Sequence, residues 1–267
     1  MDFNVDTSTC VKCGLCAAAC PVNAIRAGGI PSYRNDTDIA CVSCGHCVAV
    51  CPRRALSAGG IRPEDCIPVN KDLAASKEQI SHIIRSRRSI RAFINEPVSR
   101  DNIEQLIDIA RCSPTASNSQ LIGWTVVSGQ EKIRDLAELT AKHFRDQAEK
   151  RGTPNRWSTI LPDLEKGVDR IFRGAPALII AHAPESYRFA SVDGAIAITG
   201  IDLSAPSYGL GTCWAGIFMA ALGENSGLRT EAGIPEGRIC AGALMIGVPA
   251  EKYGFIPPRK KAPVVWK

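Results

Sequence analysis

Residues 10–21 read CVKCGLCAAACP, and residues 41–52 read CVSCGHCVAVCP. Both follow C-x-x-C-x-x-C-x-x-x-C-P. Together they hold eight of the twelve cysteines: Cys10, Cys13, Cys16, Cys20, Cys41, Cys44, Cys47 and Cys51. Closely spaced cysteines let a tight loop wrap three corners of one inorganic core, and the longer gap before the fourth lets a short helix begin and carry that thiolate away. Soft thiolates suit iron–sulfur and zinc centres. Zinc sites usually draw four ligands as two separated pairs, so a run of four ending in proline weighs against zinc. A disulfide framework needs an oxidising compartment. The opening Met1-Asp2-Phe3-Asn4 has neither the basic start nor the apolar stretch of a secretory leader, so a cytoplasmic setting is expected.

The repeat is longer than its cysteines. Residues 10–30 align with 41–61 at an offset of 31, with 13 of 21 positions identical. Such a duplication fits a pseudo-twofold domain. Over residues 3–62 the chain resembles the bacterial two-cluster ferredoxins, in which the fourth cysteine of each run serves the other run's cluster. That resemblance implies two 4Fe–4S clusters, one on Cys10, Cys13, Cys16 and Cys51 and one on Cys41, Cys44, Cys47 and Cys20. His46 sits between thiolates and reads as a surface or tuning residue rather than a ligand.

The chain has 267 residues, enough for a small domain and a medium one. A net charge of +5 is only mildly basic, which does not mark a nucleic-acid binder. Residues 203–223 carry no charge, but Ser204, Pro206, Ser207, Thr212 and four glycines break them up, so they read as buried helix and loop rather than a membrane span. No nucleic-acid or membrane partner is expected. The domain boundaries are expected at 1–62, a linker at 63–78, and a second domain at 79–267.

In the second domain, Ile80, Ile83 and Ile84 are spaced for one face of a helix that ends in Arg85, Arg87, Arg88 and Arg91. By itself such a basic run is either a solvated face or a phosphate site. Ser99 is placed to cap a second helix, with Asp101 and Glu104 near its positive end and Ile103, Leu106, Ile107 and Ala110 as its buried stripe. That helix ends near Ser113-Pro114, a polar loop follows, and a strand is expected at WTVVSG. Residues 130–173 read as mainly helical. Further strands are expected at 176–183 and 240–248, with a helix over 191–207 between them. Cys66 reads as a plain thiol, and Cys112 and Cys240 as core. Gly209-x-Gly211 lacks the third glycine of a dinucleotide fingerprint, and no P-loop, zinc-protease motif or nucleophile elbow is present.

Four motifs in order carry a second resemblance: Arg87-Arg88-Ser89-x-Arg91-x-Phe93; Ser113-Pro114-Thr115-Ala116-Ser117-Asn118-Ser119-Gln120; Gly209-Leu210-Gly211-Thr212-Cys213-Trp214-Ala215-Gly216; and Pro257-Pro258-Arg259-Lys260-Lys261. Over residues 79–267 the chain is similar to the FMN-dependent nitroreductase family, and as a whole it resembles ferredoxin–nitroreductase fusions. The fold this implies is α+β: a small two-cluster ferredoxin-like domain followed by a nitroreductase-like α+β sandwich that dimerises. The resemblance also implies a homodimer with FMN at the subunit interface. Arg87, Arg88, Ser89, Arg259, Lys260 and Lys261 would meet its phosphate and ribityl chain, and Arg91 the pyrimidine side of the ring. Pro114, Thr115, Ala116 and Asn118 would come from the partner subunit, and Trp214, Ala215 and Gly216 would lie over the ring. Cys213 would sit close by as a small buried thiol. The family's usual Asn-x-Gln-Pro-Trp is replaced after Gln120 by Leu121-Ile122-Gly123-Trp124, so Gln120 is given no ligand role.

The expected activity is an FMN-dependent oxidoreductase fed through its own clusters, reducing an electron-poor small molecule such as a nitroaromatic, quinone or conjugated carbonyl. Two alternatives stand beside it. One takes NAD(P)H as donor and passes electrons out to an external ferredoxin; the other is a non-catalytic electron-transfer subunit. No catalytic acid is assigned. His143, Phe144, Arg156, Trp157 and Phe172 are candidates for a pocket wall, against the plainer reading of core or lid packing.

Overall fold

The computed structural model describes residues 2–35, 40–153, 157 and 160–267. The chain divides into two units, Met1–Ala74 with Ala116–Ser119, and Ala75–Thr115 with Gln120–Lys267.

The first unit is the duplicated segment. Its elements are β1 (Phe3–Val5), α1 (Leu15–Ala18), β2 (Ile25–Arg26), β3 (Ser32–Tyr33), α2 (His46–Ala49) and β4 (Leu56–Ala58). β1 pairs antiparallel with β4, and β2 with β3. The repeat is visible in the backbone as well. Lys12 and Ser43 take φ of 57° and 50°, Gly14 and Gly45 take 74° and 72°, and Asn23 and Arg54 both take 52°. Each pair is 31 residues apart. These left-handed positions turn the chain sharply before and after each one-turn helix. The glycines tolerate that without cost, whereas the side-chain-bearing residues do so only where surroundings impose it. The apolar core is small, with Cys16, Ile25 and Leu56 buried and Phe3, Val5, Ala17, Cys20 and Cys47 packed on it. So little buried area needs help from a cross-link or a bound centre.

Two short 3-10 turns, Pro63–Asp65 and Lys71–Leu73, follow. The next helix, α3 (Lys77–Ser86), starts on a capping box: Ser76 Oγ accepts from Gln79 N, and Gln79 Oε1 accepts from Ser76 N.

The second unit continues with α4 (Arg100–Ala110), β5 (Gly123–Ser128), α5 (Gln130–Arg151), α6 (Ile160–Glu165), β6 (Ala177–Pro184), α7 (Ala190–Ser204), β7 (Gly211–Trp214), α8 (Gly216–Glu224), α9 (Ser226–Glu231) and β8 (Arg238–Gly247). Its sheet has the order β5-β6-β8-β7, antiparallel throughout. Side chains alternate across it. Leu178, Ile180, Ala243 and Met245 face a cluster with Ile133, Leu136, Phe218 and Leu222. Ala177, Ile179, Ala181, Leu244 and Ile246 face another with Ile103, Leu106, Ile198 and Ile201. With helices on both faces, the central strands are apolar on every side, which is why 177–183 reads as a nearly unbroken apolar run.

Several expectations shift. Ser99 stands at the N-cap of α4, but its side chain makes no capping hydrogen bond. Ile80, Ile83 and Ile84 on α3 are exposed rather than packed. Cys112 is exposed, one turn beyond Asp108, whose carbonyl accepts from its thiol at 3.5 Å. Cys240 is largely enclosed beside the β6–α5 cluster. The helical stretch after 130 is broken, since Asp169 accepts from the backbone N–H groups of Ile171, Phe172 and Gly174 and so closes a turn before β6. The uncharged 203–223 segment supplies the end of α7, then β7 and most of α8. Among the described residues no helix is long and apolar enough to cross a membrane.

α7 approaches β8 through glycine. A Cβ on Gly194 would lie 2.5 Å from Ala241 Cβ and 2.6 Å from its carbonyl oxygen. Backbone cannot move aside there as a flexible side chain would. Gly194→Ala is expected to lower stability by about 1–3 kcal/mol, the usual cost of overpacking. Urea unfolding followed by far-UV circular dichroism checks this; an unchanged midpoint would contradict the close approach.

Candidate functional site

In the first unit the cysteines fall into two groups of four. Cys20, Cys41, Cys44 and Cys47 line one pocket, together with Pro21, Val42, Ser43 and Gly45. Cys10, Cys13, Cys16 and Cys51 line a second, with Val11, Lys12, Gly14 and Pro52. Each pocket therefore takes three thiols from one run and the last thiol of the other. All twelve cysteines are free. Backbone N–H groups point at sulfur in matching places: Ala24 N donates to Cys20 Sγ at 3.2 Å and Ala55 N to Cys51 Sγ at 3.3 Å.

Among the described residues no group of three His, Cys, Asp or Glu side chains is arranged to hold a single metal ion. The thiols instead ring the two wider spaces. Burial raises the Cys16 thiol and pushes Cys47 up to about 11. A bound cationic metal would offset that burial and hold the sulfurs as thiolates. Donor softness, count and the paired N–H···S contacts all fit a cubane iron–sulfur centre in each pocket. His46 lines the first pocket beside the cysteines.

In the second unit, the Arg87–Phe93 segment runs beside the edge strand β7. Ser89 bridges Thr212 in parallel, Ile90 N donates to Thr212 O at 2.9 Å, and Ile94 N donates to Val248 O at 3.0 Å. Two motifs more than 100 residues apart are thus neighbours. Gly211 permits this, because a Cβ there would lie 2.4 Å from Ile90 Cγ1.

Charges are held from beneath this segment. Asp202 on α7 is buried; its Oδ1 accepts from Thr212 Oγ1, and its Oδ2 lies 3.5 Å from Arg87 Nη1. Burial raises the Asp202 carboxyl, outweighing the opposing pull of Thr212 and Arg87. Arg88 folds back on the end of α3, donating from Nη1 to Arg87 O at 2.8 Å and from Nη2 to Arg85 O at 2.7 Å. Its Nε is buried and has no hydrogen-bond partner among the described residues. An unspent buried guanidinium donor is costly in isolation and fits an anionic acceptor there. Arg91 is exposed. Cys213 is buried beneath, and its thiol is raised chiefly by that burial.

β7 then delivers the third motif. Trp214 is half-buried and packs on the α4–α7 cluster. Ala215 is buried, its N–H spent on Ala243 O at 2.9 Å. Gly216 opens α8 and is exposed, with open space where a Cβ would stand. The Ala215 amide is therefore not available to a ligand.

The polar loop behaves differently from expectation. Pro114 is exposed, and Thr115 Oγ1 accepts from Gln120 N at 3.1 Å. Ala116–Asn118 forms a 3-10 turn with Ser117, Asn118 and Gln120 in the left-handed region. Asn118 belongs to the first unit, donating from Nδ2 to Val42 O at 3.1 Å and Ser43 O at 3.0 Å. Its side-chain donor is thus already engaged within this chain. Arg259, Lys260 and Lys261 lie in an exposed irregular tail.

Of the pocket-wall candidates, Phe172 is fully buried, edge-on to Phe218. His143 and Phe144 are buried on α5, and Trp157 packs against Phe144 with ring centroids 6.2 Å apart. These are core contacts. Arg156 lies outside the described residues. Sequence reasoning missed a polar clamp between β6 and β8 beside the start of β5. Arg238 donates from Nε to His182 Nδ1 at 2.6 Å, and from Nη2 to Leu121 O at 2.6 Å and His182 O at 3.0 Å. Burial, then Arg238, holds His182 below its ordinary value and so neutral. Gly123 has no room for a Cβ, since His182 Cε1 would be 2.5 Å away. This clamp fixes where the chain emerges after Gln120.

A profile of the nitroreductase family matches residues 84–248, and one of the 4Fe-4S dicluster domain matches 9–56. The chain is 26% identical over 173 residues to a 4-nitrobenzoate reductase of Pseudomonas putida, covering 53% of this chain and 74% of that protein. It is 26% identical over 191 residues to an FMN reductase [NAD(P)H] of Bacillus subtilis (strain 168), covering 67% and 70%. A nitroreductase with bound FMN from Desulfitobacterium hafniense DCB-2 superposes with a TM-score of 0.55 at 26% identity, covering 69% of this chain and 97% of that one.

Replacing Asp202 by alanine strips the Thr212 hydroxyl of its acceptor and Arg87 of its counter-charge. The expected loss is about 1–3 kcal/mol for the unsatisfied buried donor. The loose 3.5 Å contact to Arg87 adds little to that figure. Chemical denaturation of Asp202→Ala beside Asp202→Asn, which keeps an acceptor, tests this: equal losses for the two would contradict it.

Proposed function

Because the chain belongs to the nitroreductase family and carries a 4Fe-4S dicluster domain ahead of it, we propose that it is an FMN-dependent oxidoreductase supplied with electrons through two 4Fe–4S clusters on its own chain. The observation that supports this most is the pairing of Ser89 with Thr212, which sets the Arg87–Arg91 segment against the Thr212–Gly216 turn. When bound, the clusters would pass electrons singly and the flavin would collect two and deliver them together. Iron–sulfur potentials span about −700 to +450 mV, and clusters toward the low end of that range would make flow to a flavin downhill.

The residues have separable tasks. Cys10, Cys13, Cys16 and Cys51 would hold one cluster, and Cys20, Cys41, Cys44 and Cys47 the other. Arg87, steadied by Asp202, and Arg88, through its free Nε, would receive the phosphate. Arg91, exposed above Cys213, would place a fixed cation where reduction deposits charge. The open side of Gly216 would admit the flat ring, with Trp214 as a wall. Arg259, Lys260 and Lys261 are free to close on the phosphate from the tail. Pro114, Thr115 and Ala116 remain candidates for the partner subunit's flavin.

A homodimer is part of this reading. The apolar face of α3 (Ile80, Ile83 and Ile84) and the tail residues Phe255, Val265 and Trp266 are exposed on the single chain. A cytoplasmic setting is part of this reading, since thiolate ligands need a reducing compartment. The acceptor is proposed to be a nitroaromatic or similarly electron-poor small molecule, in keeping with the 4-nitrobenzoate reductase relative. The FMN reductase [NAD(P)H] relative favours a second reading in which NAD(P)H is the donor and an external ferredoxin the acceptor.

Protein purified without air is expected to hold about eight irons and as many labile sulfides per chain, with about one FMN. Colourless protein lacking all three would end this reading. In anaerobic stopped-flow, pre-reduced clusters are expected to bleach the flavin within a single turnover. Reduction of the flavin by NADPH or NADH but never by reduced clusters would favour the second direction of flow.

A further inference from the structure

The duplicated halves of the first unit offer two nearly equal cluster loops, yet the structure treats them differently. In the second half, Asn118 Nδ2 donates to both Val42 O and Ser43 O, the carbonyls between Cys41 and Cys44. In the first half the matching carbonyls are Val11 O and Lys12 O. Among the described residues no side chain donates to either.

The difference extends to sulfur. Ser43 N donates to Cys41 Sγ at 3.3 Å. The matching Lys12 N makes no such bond to Cys10 Sγ among the described residues, although both residues share the same left-handed backbone. Ser43 is also tightly backed, since a Cβ on Gly59 would lie 2.8 Å from Ser43 Oγ and 3.1 Å from its Cα. The amide of Asn118 has a settled orientation, because two carbonyl oxygens can only accept and its NH₂ must face them.

Val42 C=O and Ser43 N–H belong to one peptide group. A donor on that carbonyl polarises the group and strengthens the N–H as a donor. The chain Asn118 Nδ2–H···O=C Val42, then Ser43 N–H···Sγ Cys41, is therefore a relay that ends on a thiolate. Hydrogen bonds to sulfur stabilise the more negative, reduced state of an iron–sulfur centre and raise its potential. We infer that Asn118 is a positioning residue that holds the Cys41–Cys44 loop and raises the potential of the cluster on Cys20, Cys41, Cys44 and Cys47, making two duplicated centres unequal. This rests on the reading that both pockets hold clusters.

The other half serves as an internal control. Asn118→Gly keeps the left-handed turn and removes the donor. Asn118→Asp keeps the shape and turns an acceptor toward the two carbonyls. In whole protein purified without air, a redox titration followed by electron paramagnetic resonance should resolve two centres. Expected is a shift of one potential to more negative values in Asn118→Gly, and a larger shift of the same one in Asn118→Asp, with the other centre unmoved. Faster loss of one cluster's absorbance on chelator challenge should accompany it. Unchanged potentials in both variants, or equal shifts of both centres, would overturn the inference while leaving the cofactor assignment standing. Parent protein without iron and sulfide would instead overturn the assignment itself.

Discussion

The strands β6 and β8 have no solvent-facing side, and the second unit is arranged around that fact. Ile179, Ile180, Leu244 and Ile246 are all fully enclosed, so helices must cover both faces of the pair. α7 can lie close only because Gly194 and Gly242 have no side chains to obstruct it. Its position brings Asp202 beneath β7, and Asp202 in turn holds Thr212 and reaches Arg87. The geometry of the cationic segment is thus inherited from the packing of two apolar strands.

The first unit depends on a different kind of cohesion. Its apolar core is a handful of residues, and its backbone carries strained left-handed turns at Lys12, Asn23, Ser43 and Arg54. Such turns persist only where the surroundings over-determine them. Four thiols facing one space from two distant runs provide that determination, since a bound inorganic core would tie the two halves together. Stability and electron transfer would then rest on the same atoms. A loss of the centre would be a loss of the fold, in the manner of small metal-organised domains.

Buried polar groups mark where the second unit is constrained beyond packing. The Arg238–His182–Leu121 clamp joins three places in the sequence, and it stays neutral at His182 because burial and the adjacent guanidinium both disfavour imidazolium. Asp202 shows the same balance in an acid: burial raises it although Arg87 and Thr212 pull the other way. In both cases the group is retained with its partners satisfied, the condition under which buried polarity specifies one arrangement rather than merely costing stability.

Much was legible in the residues themselves. Cysteine spacing and the 31-residue duplication marked out residues 3–62 as a repeated segment with eight thiols, because a turn of chain around an inorganic core leaves a local signature. Periodicity located the main helices and strands, since burial on one face or on two is written in the order of apolar residues. Other features could be decided only in three dimensions. The pairing of Ser89 with Thr212, the enclosure of Phe172 and the capture of Asn118 by Val42 and Ser43 all join residues remote in sequence. Local pattern carries no information about such meetings. They follow from close packing, which settles every neighbour at once.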